Sequence, residues 1–205
     1  MSRSTPDVTR RNEASRRAIL TAAFELAGEI GYAKLTIEAV AARAGVGKQT
    51  IYRWWPSKGA VLLDSFLLLS EAGGENPGLP DTGDLAADLT LVLRATVDEL
   101  TDPHFDLALR GLTSAILDDD ELAVAYRDRL QAPVDALKRR RLESARTAGE
   151  IADDIDLDVA VAAVWGPVLD RWLLRTGPLT HDFADRVVTT ALRGLRPRKP
   201  GDIRP

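Results

Sequence analysis

The 205-residue chain contains no cysteine. That excludes a disulfide framework, a thiolate nucleophile and a Cys-ligated zinc. There are two histidines, His104 and His181, and neither has a spacing to other ligand types that suggests zinc. Asp154, Asp156 and Asp158 imitate the opening of a calcium loop, but the final ligand position falls on Trp165, so the cluster reads as helix-capping charge. No Ser/His/Asp triad or working carboxylate pair can be assembled. The chain is therefore expected not to be an enzyme and to carry no metal or cofactor. The glycines between residues 71 and 84 lack the flanking strand and the Lys of a phosphate-binding loop, so nucleotide binding is not expected.

Long apolar runs are missing too. The longest, from Val159 to Leu169, is far short of the ~20 residues that a membrane-spanning helix needs. No hydrophobic segment of the secretory kind follows Met1, and a cytoplasmic protein with no membrane contact is expected. Nor does any window alternate apolar and polar residues with period two for long enough to build a sheet, which leaves an all-α protein.

Hydrophobic residues make up 45% of the chain, ample for a packed core. Net charge is −4, but its distribution is uneven. Residues 1–58 hold 10 Lys+Arg against 5 Asp+Glu, whereas residues 59–205 hold 17 against 26. A basic head on an acidic body is the pattern expected if only the head meets phosphate.

The head contains the most informative stretch, TIEAVAARAGVGKQTIYRWWPSK, from Thr36 to Lys58. Ile37, Val40, Ala41 and Ala44 recur at helical spacing behind Thr36, a plausible N-cap. Gly45 falls where that helix must end and the chain turn. A second short helix from about Gly47 to Trp54 buries Val46, Ile51 and Trp55 and turns Lys48, Gln49, Thr50, Tyr52 and Arg53 outward. Two such helices and a tight turn form a helix-turn-helix, whose second helix enters a DNA major groove. An amphipathic helix over residues 14–30, with Ile19, Leu20, Ala23, Phe24, Ala27 and Ile30 facing inward, would bury the back of the pair.

The run LTIEAVAARAGVGKQTIYRWWPSKGAVL, preceded by RRAILTAAFELAGEIGY, resembles the DNA-binding domain of TetR-type (tetracycline-repressor family) regulators. The shared features are an A-x-x-A-G-V turn, a T-I-Y step and a P-S-K start to the next helix, and they cover about a quarter of the chain. The resemblance implies an N-terminal three-helix helix-turn-helix domain and a larger C-terminal helical domain for effector binding and dimerisation. It places Thr36, Lys48, Thr50, Tyr52 and Lys58 on DNA phosphates. Gln49 and Arg53 become the base readers, Arg suiting a guanine edge and Gln adenine. Gly47 lets the backbone approach the strand. Trp54 stands where the family usually has His or another polar residue. Stacking on a sugar, contact with a thymine methyl and simple packing all remain open for it.

Pro56 stops the second helix and Ser57 is placed to cap a greasy fourth one. Further helices are expected over residues 84–101, 103–117, 119–148 (interrupted by Pro133), 156–175 and 182–195. The expected organisation is a flexible basic arm at 1–13, the helix-turn-helix domain at 14–58, a ligand-binding and dimerisation domain at 59–196 and a flexible tail at 197–205. Resemblance implies that the helices from Asp156 to Arg175 and from Asp182 to Leu195 form a homodimer interface. A pocket for an unidentified small-molecule effector, apolar or amphipathic, is expected among Phe105, Leu109, Arg110, Leu112, Ile116, Tyr126, Leu130 and Trp165. The expected partners are thus double-stranded DNA, a second copy and that effector, with release from a palindromic operator as the response. The alternative is a helical effector-binding protein whose head docks on a protein partner.

Overall fold

The computed structural model describes residues 8–72 and 78–197. Among them every regular element is helical, as the missing period-two alternation implies. The helices are α1 (Val8–Ile30), α2 (Ile37–Ala44), α3 (Lys48–Tyr52), α4 (Lys58–Ala72), α5 (Leu85–Thr101), α6 (Pro103–Asp118), α7 (Asp120–Tyr126), α8 (Ala132–Thr147), α9 (Leu157–Leu174) and α10 (His181–Leu195). Among the described residues no helix is long and apolar enough to cross a membrane.

Two differences from expectation concern α1. It starts at Val8, so residues 8–13 of the expected arm are helical, and residues 1–7 lie outside the described part. From Val8 to Ala27 the sequence offers no Pro or Gly to stop a helix, and its Arg and Glu are good helix formers. Ile30, expected inside, is 39% exposed at the helix end, and Leu26 is buried instead.

Between α7 and α8 the chain makes one π-helical turn, Arg127–Gln131. Pro133 follows directly and has no N–H to return to the carbonyl four residues back. A widened turn absorbs the lost bond without ending the helix. The anticipated break is thus a bulge.

Packing groups the chain differently from a boundary after Lys58. One compact unit spans residues 1–75 and 103–130, the other 76–102 and 131–205. The reason is apolar surface. α4 has little polar face, and the partners that cover it are α1, α6 and α7. Phe24 of α1, Phe66 of α4 and Phe105 of α6 form a triangle of edge-on rings, with centroids 5.5, 5.6 and 6.4 Å apart. Ile19, Leu20, Ile51, Leu62 and Leu112 are wholly buried around it. Each such side chain contributes roughly 1.5–3 kcal/mol by leaving water.

The second unit is built from α5, α8, α9 and α10, and it holds a buried ion pair. Arg141 of α8 donates through Nε and a terminal nitrogen to Asp88 of α5, at 3.0 and 2.8 Å. Asp88 also accepts from the Thr82 backbone N–H and hydroxyl, at 3.0 and 2.8 Å. Nε of Arg141 reaches the Pro80 carbonyl as well, at 2.9 Å. One guanidinium thus joins α8, α5 and the loop before α5. Arg94 of α5 grips Asp185 of α10 through two bonds, at 2.8 and 2.6 Å.

Candidate nucleic-acid interface

The α2–α3 turn is built by local chemistry. Thr36 is extended (φ −127°, ψ 153°) and its hydroxyl accepts the Ala39 N–H at 3.1 Å, which starts α2. Gly45 adopts the left-handed conformation (φ 67°, ψ 32°) that a Cβ disfavours, and the Val46 N–H closes the turn on the Ala41 carbonyl at 3.0 Å. Gly47, extended, precedes α3. The short helix is anchored by Ile51, which is completely buried, and by Trp55 just beyond it.

That anchor decides what faces out. Lys48, Gln49, Tyr52 and Arg53 are all exposed, and their spacing of one, four and five residues places them on one side of the helix. Thr50 is half-buried at the edge of this face. Lys48 lies 3.4 Å from Glu38 on α2, a solvated pair that a phosphate can displace. The Arg53 guanidinium sits 5.3 Å from the centre of the Trp54 ring, and Trp54 meets Trp55 edge-on at 5.5 Å. Stacking on Trp54 restricts where Arg53 can point.

Three contacts hold the pair of helices in place. Arg43 of α2 forks onto Glu29 of α1 at 3.0 and 2.8 Å, and this hydrogen bonding holds the Glu29 carboxyl below its ordinary range. Lys58 donates to the carbonyls of Tyr32 and Leu35, at 2.8 and 3.0 Å. Two of its three N–H groups are therefore committed inside the protein. The Trp55 indole N–H donates to Asp64 of α4 at 2.9 Å, tying the end of α3 to the next helix. Neither the Arg43 nor the Trp55 contact carries a sequence motif, because each partner is chosen by tertiary packing.

The residues expected to line an effector pocket fall in both units. Phe105, Leu109, Leu112, Ile116, Tyr126 and Leu130 belong to the apolar cluster of the first unit, where Leu112 is fully buried. Arg110, in the same unit, donates to Asp106 at 2.8 Å. Trp165 belongs to the second unit, where the Lys138 ammonium lies 5.2 Å from its ring centre. There it borders a cavity of ≈ 260 Å³ with Val161, Leu169, Lys138 and Asp135.

Known proteins carry both halves of this arrangement. Residues 19–64 match the family described as bacterial regulatory proteins, tetR family, and residues 79–191 match the tetracyclin repressor-like C-terminal domain. The HTH-type transcriptional regulator Rv1556 of Mycobacterium tuberculosis is 41% identical over 89% of this chain and 88% of its own. The DNA-binding transcriptional repressor TetR of Mycobacteroides abscessus is 30% identical over 89% of this chain and 94% of its own. The crystal structure of the TetR family transcription regulator SCO0332 superposes with a TM-score of 0.73, at 40% identity over 89% of this chain and 99% of that one.

Proposed function

We propose that this chain, which belongs to the tetR family of bacterial regulatory proteins, represses transcription as a homodimer on a palindromic operator and is released by a small apolar or amphipathic effector. It is a helix-turn-helix transcriptional regulator and not an enzyme. What carries the DNA reading is the outward side of α3: Lys48, Gln49, Tyr52 and Arg53 exposed together on a helix pinned from behind by Ile51.

In this reading Thr36, Lys48, Thr50, Tyr52 and Lys58 contact phosphates, while Gln49 and Arg53 read base edges from the major groove. The third N–H of Lys58 is the one left for a phosphate. Gly47 keeps the backbone close to the strand. Trp54 acts through Arg53, holding its guanidinium by stacking. The protein acts in the cytoplasm, where the chromosome is.

The dimer reading is supported by α9. Val159, Leu169, Leu173 and Leu174 are 65%, 39%, 44% and 63% exposed, an apolar face that water does not favour. Ala162 and Ala163 lie exposed among them and Gly166 half-buried, all small enough for a facing helix to approach closely. Together with α10 this surface would form a two-fold interface and set two copies of α3 about one DNA turn apart, ~34–36 Å. For the effector, two separate groups are proposed, each within its own unit: Phe105, Leu109, Arg110, Leu112, Ile116, Tyr126 and Leu130 in the first, and Trp165 on the cavity already described in the second. Effector binding would shift the equilibrium by the order of 1–3 kcal/mol typical of allosteric coupling.

Selection of bound duplexes from a random pool tests the proposal. An inverted repeat is expected, and enrichment of unpaired or single-stranded sequence would overturn it.

A further inference from the structure

A second cavity, of ≈ 280 Å³, lies behind α3, where the end of that helix meets α4 and α7. Its walls include the indoles of Trp54 and Trp55, the carboxylates of Asp64, Asp119 and Glu121, and the guanidinium of Arg129. Asp64 is the unusual member, only 8% exposed. Its Oδ2 accepts the Trp55 indole N–H at 2.9 Å and has Arg16 at 3.6 Å. Its Oδ1 is buried without a hydrogen bond. The Arg129 guanidinium stands 2.8 Å from that oxygen, close enough to attract it but badly angled for donation, on a side chain that is half exposed. Glu121 makes no ion pair among the described residues.

We infer that this cavity is a binding site for a small organic cation, an amine or amidinium carrying one ring or a short chain. Three carboxylates outnumber the guanidiniums of Arg129 and, beside Asp64, Arg16, which disfavours anions. A neutral apolar guest adds no hydrogen bond to Oδ1 of Asp64, whereas a donor cation supplies one in place of the Arg129 ion pair. Among the described residues no group of three His, Cys, Asp or Glu is placed to hold a metal ion, so the acidic wall does not point to one. Indole rings in the wall favour weakly hydrated organic cations instead. Arg129 marks the place: the chain's own guanidinium approaches Oδ1, and a ligand donating along the proper direction takes that position while Arg129 swings to solvent. Because Trp55 holds the other oxygen of the same carboxylate, the guest touches the support of α3 directly.

The test uses the 205-residue chain without DNA, so its result is independent of the reading proposed above. Benzamidine and its neutral relative benzamide are titrated by calorimetry, with tryptophan fluorescence as a second readout. One saturable site per chain is expected for benzamidine, with benzamide weaker by roughly tenfold or more. Arg129→Ala removes the internal competitor and should tighten benzamidine several-fold. Glu121→Gln, at an exposed position, should weaken it several-fold. Asp64→Asn should abolish it. Equal binding of the two probes, no saturable binding to wild type and Arg129→Ala alike, or an Arg129→Ala variant that binds no tighter would each overturn the site.

Discussion

The Lys58 ammonium lies 4.3 Å from the centre of the Tyr32 ring while donating to the Tyr32 carbonyl at 2.8 Å. The first residue of α4 thus locks the turn after α1. Lys58→Ala leaves the carbonyls of Tyr32 and Leu35 without this donor and should cost about 1–3 kcal/mol of stability, read by urea denaturation. If the remaining N–H meets a phosphate in each subunit, the same variant also shallows the salt dependence of DNA binding. A slope identical to wild type would make Lys58 a purely internal brace.

Arg53→Ala should weaken the selected operator by roughly 1–3 kcal/mol and relax preference at one base pair per half-site. Trp54→Ala keeps the charge but removes the stacked ring, so it should broaden that preference with a smaller loss of affinity. Binding of variant duplexes checks both. Uniform weakening across all sequences by Arg53→Ala would reassign Arg53 to the backbone.

Leu173→Glu introduces a charge on the exposed apolar face of α9. In a lone chain it meets solvent, so unfolding should change by less than about 0.5 kcal/mol per chain. Across an interface the charge is buried without a partner, and association should weaken by more than ~2 kcal/mol. Sedimentation should then find monomers where wild type is dimeric. An unchanged dimer would place the interface elsewhere.

Asp88 links stability to acid. Burial alone would raise its carboxyl, but the Thr82 N–H, the Thr82 hydroxyl and Arg141 together hold it below its ordinary value. A depressed folded-state pKa stabilises the fold above the unfolded-state value, near ~3.9, and that stability is lost as pH falls through the lower one. Asp88→Asn should therefore be less stable than wild type at pH 7 and decline less steeply below about pH 4. Asp88→Ala strands a buried guanidinium and should cost about 3–5 kcal/mol at neutral pH. Denaturation midpoints across pH check both, and parallel profiles for wild type and Asp88→Asn would contradict the linkage.

The parts of the molecule legible in the sequence are those where a residue acts on its own backbone. Thr36 caps, Gly45 turns left-handed and Ser57 accepts the Ala60 N–H at 3.2 Å, and each announces itself within a few residues. The outward face of α3 follows from the same register. Arg141 is the opposite case. It reads as solvated charge in the run Lys138–Arg139–Arg140–Arg141, because its partner Asp88 is 53 residues away. The assignment of α6 and α7 was equally hidden. Phe105, Leu112 and Leu122 are apolar at helical spacing whatever they cover, and only packing shows that Phe105 meets Phe24 and Phe66. The Asp64 cavity depends on Trp55, Arg129 and α7 arriving together, which no local pattern encodes.

A symmetric pair gripping duplex DNA through α3 underlies the expectations for DNA binding and association. It is tested most directly by titrating the selected operator with the purified chain across a range of salt and reading stoichiometry and affinity together. Two chains per duplex are expected. With Lys48 and Lys58 of each subunit on phosphates, log K should fall against log salt with a slope of roughly −3 to −4. One chain per duplex, or an affinity indifferent to salt, would contradict the account.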